Sequence, residues 1–433
     1  MRRAALAAAC SLTACGGRTE LTLPAAGEVA RESGVETVLD GGAESGLESG
    51  VDAAADAIAT CAIDAGRENP ADGSCPSERW AAGPIENVAT SEPPVDVAAG
   101  DFDGDGSLDL LAILGNAASV EIWLNRGDGT FACPIVTSTG TDSFTVAVAD
   151  FNRDGLADFA LGFVDELKTL QVFLNQGNGT FALSSMLPLT FGVFAIAAGD
   201  FDGDGAPDLA FTNGSDELSV ASNRGDGTFP AATIYNTDYF VDALALGDVN
   251  GDGAIDIVAT NAAFCSPSVA LFVNEGDGTF DPVVSYPGIC GDTGLIALGD
   301  FNGDGSPDVV RSCWQGADSV AVRLNDGGGA FGSETTYPAG PWPWGVLADR
   351  FLTTSGPLDI AAAPSLDDEY GGSTVALLPG SGDGTFGKTI AAGSMTSNSD
   401  QRPLVSGDFN GDGHADIAFT TNTGVGVLFF VCD

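Results

Sequence analysis

DFDGDGSLD, residues 101–109, offers one small cation a ring of oxygens. Asp101, Asp103 and Asp105 alternate with residues that need not bind, Gly106 permits a tight turn, and Asp109 returns a fourth carboxylate as an apolar run begins. Oxygen-only donors suit a hard cation, and a flexible ring of about six to seven of them fits Ca2+ better than octahedral Mg2+. A single copy would be a modest signal. The frame recurs with Asp150, Asn152, Asp154 and Asp158; Asp200, Asp202, Asp204 and Asp208; Asp248, Asn250, Asp252 and Asp256; Asp300, Asn302, Asp304 and Asp308; and Asp408, Asn410, Asp412 and Asp416. Six copies make chance a poor explanation.

The first Asp of each frame falls at 101, 150, 200, 248, 300 and 408, and a degenerate copy starts at Asp349. A period near 50 is in the range of propeller blades rather than helical solenoids. Each unit repeats one order: an apolar run ending in Gly-Asp or Ala-Asp (VDVAAGD, TVAVAD, AIAAGD), the acidic loop, a second run (LDLLAIL, PDLAFT, IDIVAT) and a third (SVEIWLN, LQVFLN, SVALFVN). A turn N-x-G-D/N-G-T-F follows at Asn125–Phe131, Asn175–Phe181, Asn223–Phe229 and Asn274–Phe280, and in weaker form at Asn325–Phe331. A more variable fourth run completes the unit. Four short strands joined by Gly-rich turns make one blade, so the fold class is all-β, a seven-bladed β-propeller of four-stranded antiparallel blades.

The last unit has three strands (PLVSGD, ADIAFT, VGVLFFV) and then ends, while Trp80 stands ahead of Asp101 at the distance at which each turn Phe stands ahead of its next loop. Residues from about Trp80 to Thr90 should therefore complete the last blade and close the ring with no free edge at the seam.

Composition sets limits on partners. The net charge of −46 excludes nucleic acid and anionic membrane surfaces as partners of the folded part. Twenty of the 61 acidic residues lie in the six intact loops, so about a third of the acid is ligand material, and six Ca2+ would return twelve charges.

The N-terminus reads as an export signal: basic Met1-Arg2-Arg3, an apolar run Ala4–Leu12 too short to span a bilayer, and small residues before Cys15. Residues 1–14 are the signal. Residues 15–74 form an acidic segment of Ala, Gly, Ser, Glu and Asp that cannot bury enough apolar surface to order itself. The propeller occupies 75–433.

Cys432 and Cys75 occupy neighbouring slots across the seam in repeat register, which predicts a Cys75–Cys432 disulfide in place of the missing turn. Cys265, Cys290 and Cys313 fall in loops of one face, so one pair is expected among them, leaving Cys133 or Cys61 as an odd thiol.

The motif D-x-D/N-x-D-G-x-x-D with N-x-G-D-G-T-F before the fourth strand resembles the FG-GAP or VCBS-type repeat of the integrin α-subunit propeller and its bacterial relatives, over about residues 80–433. The resemblance implies that positions 1, 3, 5 and 9 are side-chain ligands of about six Ca2+ and that position 7 ligates through its carbonyl: Ser107, Leu156, Ala206, Ala254, Ser306 and His414. The sixth loop, DRFLTTSGPLD from Asp349 to Asp359, is longer and lacks the interior carboxylates, so that blade should bind no calcium. LTAC followed by Gly16 resembles the lipobox of bacterial lipoproteins, implying lipidation of Cys15 and a membrane-anchored protein at the cell surface or in the periplasm. The alternative is a plain secretory signal.

An EF-hand shares the early ligands but needs a carboxylate at position 12 on a helix. Here that position is Ala112, Leu161, Phe211, Ala259, Arg311 or Phe419. Three or four bare carboxylates within a few ångströms repel strongly, which argues against Asp-rich turns that bind nothing. In an up-and-down blade the acidic loops and GDGTF turns share one face. The other carries Trp314, Trp342, Trp344 and Tyr370, aromatics near acidic side chains that suit a sugar ring or a protein anchor, or that pack between blades. No catalytic residue is assigned: the only His is His414 in a loop, and no nucleophile motif is visible. The two RGD tripeptides, Arg126–Asp128 and Arg224–Asp226, are repeat turns with Arg in the free position. The expected function is ligand recognition or adhesion, with a polysaccharide-active enzyme or a periplasmic scaffold as alternatives.

Overall fold

The computed structural model describes residues 80–432 apart from 165–167, 214–215, 238–239, 262–267, 291–292, 314–317, 365–373 and 395–403. The signal, Cys15, the acidic segment, Cys61, Cys75, Cys265, Trp314 and Tyr370 lie outside the described residues, as does the Cys75–Cys432 pairing.

Among the described residues twenty-eight strands follow in chain order. β1 (Trp80–Ala89) precedes blade one, which is β2 (Pro94–Gly100), β3 (Asp109–Leu114), β4 (Ser119–Trp123) and β5 (Ile135–Ser138). Blade two is β6 (Thr145–Ala149), β7 (Asp158–Gly162), β8 (Thr169–Asn175) and β9 (Phe181–Pro188); blade three is β10 (Ala195–Gly199), β11 (Asp208–Thr212), β12 (Glu217–Ala221) and β13 (Thr233–Asn236). Blade four is β14 (Val241–Gly247), β15 (Asp256–Asn261), β16 (Ser268–Phe272) and β17 (Val284–Pro287); blade five is β18 (Thr293–Gly299), β19 (Asp308–Cys313), β20 (Ser319–Arg323) and β21 (Thr335–Pro338). Blade six is β22 (Pro343–Asp349), β23 (Asp359–Pro364), β24 (Thr374–Leu378) and β25 (Ile390–Ser394); blade seven begins with β26 (Leu404–Gly407), β27 (Asp416–Thr420) and β28 (Gly424–Cys432).

Each blade is an antiparallel meander, and the seventh sheet has the order β1-β28-β27-β26. The N-terminal strand is thus the outer strand of the last blade, with Trp80 opposite Cys432 and Ala89 opposite Gly424. This is the closure expected from the ends of the sequence.

The core lies in the seams between blades. Each of seven apolar clusters draws on two neighbours: Phe102, Ile122, Phe159 and Phe173 fill the seam of blades one and two, and Val88, Leu110, Phe409 and Val427 fill the seam of seven and one. Second and third strands are buried on both faces, which is why their sequences read as continuous apolar runs rather than alternation. First strands approach one another closely at their ends. A Cβ on Gly100 would stand 2.7 Å from Val148 Cγ1, and one on Gly407 would collide with Leu108, so at these two seams Gly before the loop Asp is a packing requirement.

The seam of blades four and five departs from this apolar rule. Arg311 of β19 is wholly buried and donates to Glu334 through Nε (2.7 Å) and Nη2 (3.1 Å), while the Ile289 amide donates to the same carboxylate. Burial opposes ionisation of Glu334, but the hydrogen bonds and charge of Arg311 outweigh it and hold the carboxyl below its usual range. Beside this pair, Cys290 and Cys313 form the one disulfide among the described residues, the pair expected within its set of three, and Cys133 is a free exposed thiol.

Candidate metal centres

In loop one, Asp101 Oδ1 and Oδ2 accept the amides of Gly104 (2.7 Å) and Gly106 (2.9 Å), Asp103 Oδ1 accepts that of Asp105 (3.2 Å), and Asp105 Oδ1 accepts that of Ser107 (2.7 Å). These bonds curl the chain around its own carboxylates. Gly104 at φ +77° and Gly106 at φ +90° take the left-handed conformation the curl requires, one that costs other residues more. The bonds to the first Asp recur in the loops from Asp248, Asp300 and Asp408, whereas in the loop from Asp150 Oδ1 accepts the Asp154 amide and Oδ2 that of Gly155.

Position 9 has a second task. Asp109 Oδ2 accepts the Phe102 amide (2.8 Å) and Oδ1 the Asn125 amide (2.7 Å), tying the loop to the GDGTF turn of its own blade. Asp158, Asp208, Asp256 and Asp308 repeat both bonds, and Asp416 accepts from Phe409 and Phe430. Burial pushes Asp109, Asp158, Asp208 and Asp308 up to about 6 and Asp416 up to about 8, against the amide bonds that lower them; neighbouring loop carboxylates add to the rise. Each carboxylate oxygen keeps a lone pair beyond its amide bond.

The turns are the other half of the joint. Asn175 Nδ2 donates to the Ala157 carbonyl of its own loop and to the Phe102 carbonyl of the preceding blade's loop; Asn125, Asn223, Asn274 and Asn325 do the same at their seams. The turn Phe meets the loop Phe edge-on across the same seam, as in Phe102–Phe181 at 5.9 Å, Phe151–Phe229 and Phe201–Phe280. Three of the five Tyr join these joints: Tyr235, Tyr286 and Tyr337 each meet the turn Phe of the next blade edge-on.

The residues present fit a calcium ion. Ligand oxygens of Asp101, Asp103 and Asp109 lie within 4.8 Å of one another, as do those of Asp200, Asp202 and Asp208. Asn at position 3 leaves the other loops one carboxylate fewer. Asp200 Oδ1 is buried without a hydrogen-bond partner, an orphan acceptor that a cation would satisfy. His414 is buried, and its Nδ1 has no partner in the protein. Loop six differs as its sequence implies: Asp359 keeps the position-9 bonds to Leu352 and Gly380, but Arg350 Nε donates to the Gly356 carbonyl (3.1 Å) where other loops have interior carboxylates.

Both RGD tripeptides are engaged in their turns. Arg126 Nη1 donates to the Phe131 carbonyl, and Asp128 and Asp226 accept from Thr130 and Thr228. On the opposite face, Trp342 is half-buried at φ +49° with its amide donating to Asp318 (3.2 Å), and Trp344 is half-buried in β22 with its carbonyl accepting from Ser312 Oγ (2.7 Å). Two apolar residues that the sequence did not single out, Ile289 and Val164, are exposed in connections of that face.

A family model of the FG-GAP-like repeat matches residues 101–161, 162–211, 200–259 and 248–311. Among curated proteins none matches the chain in sequence. Among solved structures, a chain from the crystal structure of BBS1N in complex with ARL6DN, soaked with lead, is 12% identical with a TM-score of 0.53, covering 82% of this chain and 97% of that one. At that identity the likeness shows the fold alone, and a propeller fold by itself assigns no activity.

Proposed function

The chain is a β-propeller of FG-GAP-like repeats, and from that premise we propose that it is a calcium-stabilised recognition scaffold, exported and held at a membrane through Cys15. It would bind a protein or a glycan through the loops opposite the acidic ones. The observation that carries this reading is the joint at the seams that have a turn Asn: the position-9 carboxylate fastens loop to turn within a blade, and the turn Asn, with paired rings at several seams, fastens that blade to its neighbour. Calcium bound there supplies charge compensation that keeps the joint closed, and the loop face behind it is left for a ligand. Trp342, Ile289 and Val164 are the described side chains on that face that would contact one.

The test is a glycan-array and pull-down screen with the full chain, in calcium and in excess chelator. Saturable binding in calcium that is weakened by substituting Trp342 or Ile289 supports the reading. Turnover of a bound glycan would move the protein to the enzyme class, and binding abolished by Asp105→Asn but untouched by changes on the opposite face would place the ligand on the calcium side.

A further inference from the structure

Loop three differs from its relatives in two independent ways. Asp200 Oδ1 has no partner, whereas Asp101, Asp150, Asp248, Asp300 and Asp408 each accept an amide at that atom. A guanidinium from the preceding blade also lies against it. Position 4 is Gly in every other intact loop, but in loop two it is Arg153, held at φ +61° where an L side chain is unfavourable. Its side chain crosses the seam, and Nη1 donates to the Asp204 carbonyl of loop three (2.8 Å). The head group fills the space over Gly225 in the turn of blade three, where any Cβ would collide with Nη2.

We propose that Arg153 sets the calcium affinity of loop three and makes it the weaker of the two four-carboxylate sites; the inference rests on the calcium reading above. Loops one and three are DFDGDGSLD and DFDGDGAPD, nearly the same donor set, and each is followed by an Arg-bearing turn, so each serves as the other's control. The cation reaching over from the preceding blade distinguishes them. At loop one the corresponding residue is Gly411, where a Cβ would already stand 3.0 Å from the Gly127 carbonyl. A fixed positive charge one residue from the ligands repels an incoming Ca2+, and in the ion-free state it offsets repulsion among Asp200, Asp202, Asp204 and Asp208. Both effects shift the equilibrium toward the empty loop. Of the two four-carboxylate loops, the one at the seam of blades two and three is thus the first to lose its ion as calcium falls.

The experiment is stopped-flow calcium release into excess fluorescent chelator, with equilibrium titration, on the full-length wild type, R153G and R153Q. Arg153→Gly restores the residue of the sibling loops, and Arg153→Gln keeps a polar side chain of similar reach without the charge. Both should bind one calcium roughly three- to tenfold more tightly, slow one release phase by a similar factor, and lose that difference as salt is raised. In a D202N/D204N background the substitutions should do nothing. Unchanged release in R153G, a change that persists in that background, or R153Q behaving as wild type would overturn the proposal alone. A wild-type chain that binds no calcium would overturn the calcium reading itself.

Discussion

The aspartates at positions 3 and 9 of a loop carry the same charge and do different work. Asp109 accepts two buried amides, one from its own loop and one from the turn of its blade, whether or not an ion is present, whereas Asp103 accepts one amide within an exposed loop. Removing Asp109 leaves the Phe102 and Asn125 amides unsatisfied in the interior, at roughly 1 to 3 kcal/mol each. Asp109→Ala should therefore cost about 2 to 6 kcal/mol in urea unfolding even in chelator, and more in calcium, where a ligand is lost as well. Asp103→Asn keeps the oxygen that accepts the Asp105 amide and should lower stability only when calcium is present. Equal costs for both variants in chelator would show that position 9 is merely another ligand.

Among the strands, β1 is the one whose place no local pattern explains. It pairs with β28 from the far end of the chain and buries Val88 in the seam of blades seven and one. A chain beginning at Thr90 would leave β28 as an edge of nine residues, a template for pairing with another copy. Size-exclusion chromatography and thermal melting should show self-association and a lower midpoint; a monomer with the native midpoint would mean that closure contributes nothing. This closure was legible because the repeat counts its own strands: Gly at the curled positions and Asp at fixed spacing mark each loop. The seam joints were not, because Asn175 reaches Phe102 across 73 residues and nothing in either motif names the other as its partner. The part of Tyr235, Tyr286 and Tyr337 in these joints was equally hidden, since each packs on the turn Phe of the next blade. Arg153 was silent for the same reason: one substituted glycine acquires meaning only once blade three lies beside blade two.

Around the ring these joints add up to a protein of net charge −46 that buries part of its acid at every calcium-type seam. Without an ion, the folded carboxyls of Asp109, Asp158, Asp208 and Asp308 sit at about 6 and that of Asp416 at about 8, all raised from 3.8. Between the unfolded and folded values the native state holds more protons than the unfolded chain, so stability falls as pH rises. The contribution of these groups is intact below about pH 4 and lost through pH 6 for four of them, with Asp416 following near 8. Calcium bound as proposed would remove this dependence, because the native loops would then hold their carboxylates ionised and native-state proton uptake would disappear. Thermal melts in saturating calcium and in chelator should nearly coincide near pH 4 and diverge steadily toward pH 8, with the chelated protein falling and the calcium-loaded one holding. Curves that run parallel across that window would mean that the buried aspartates and the ion do not share the same sites.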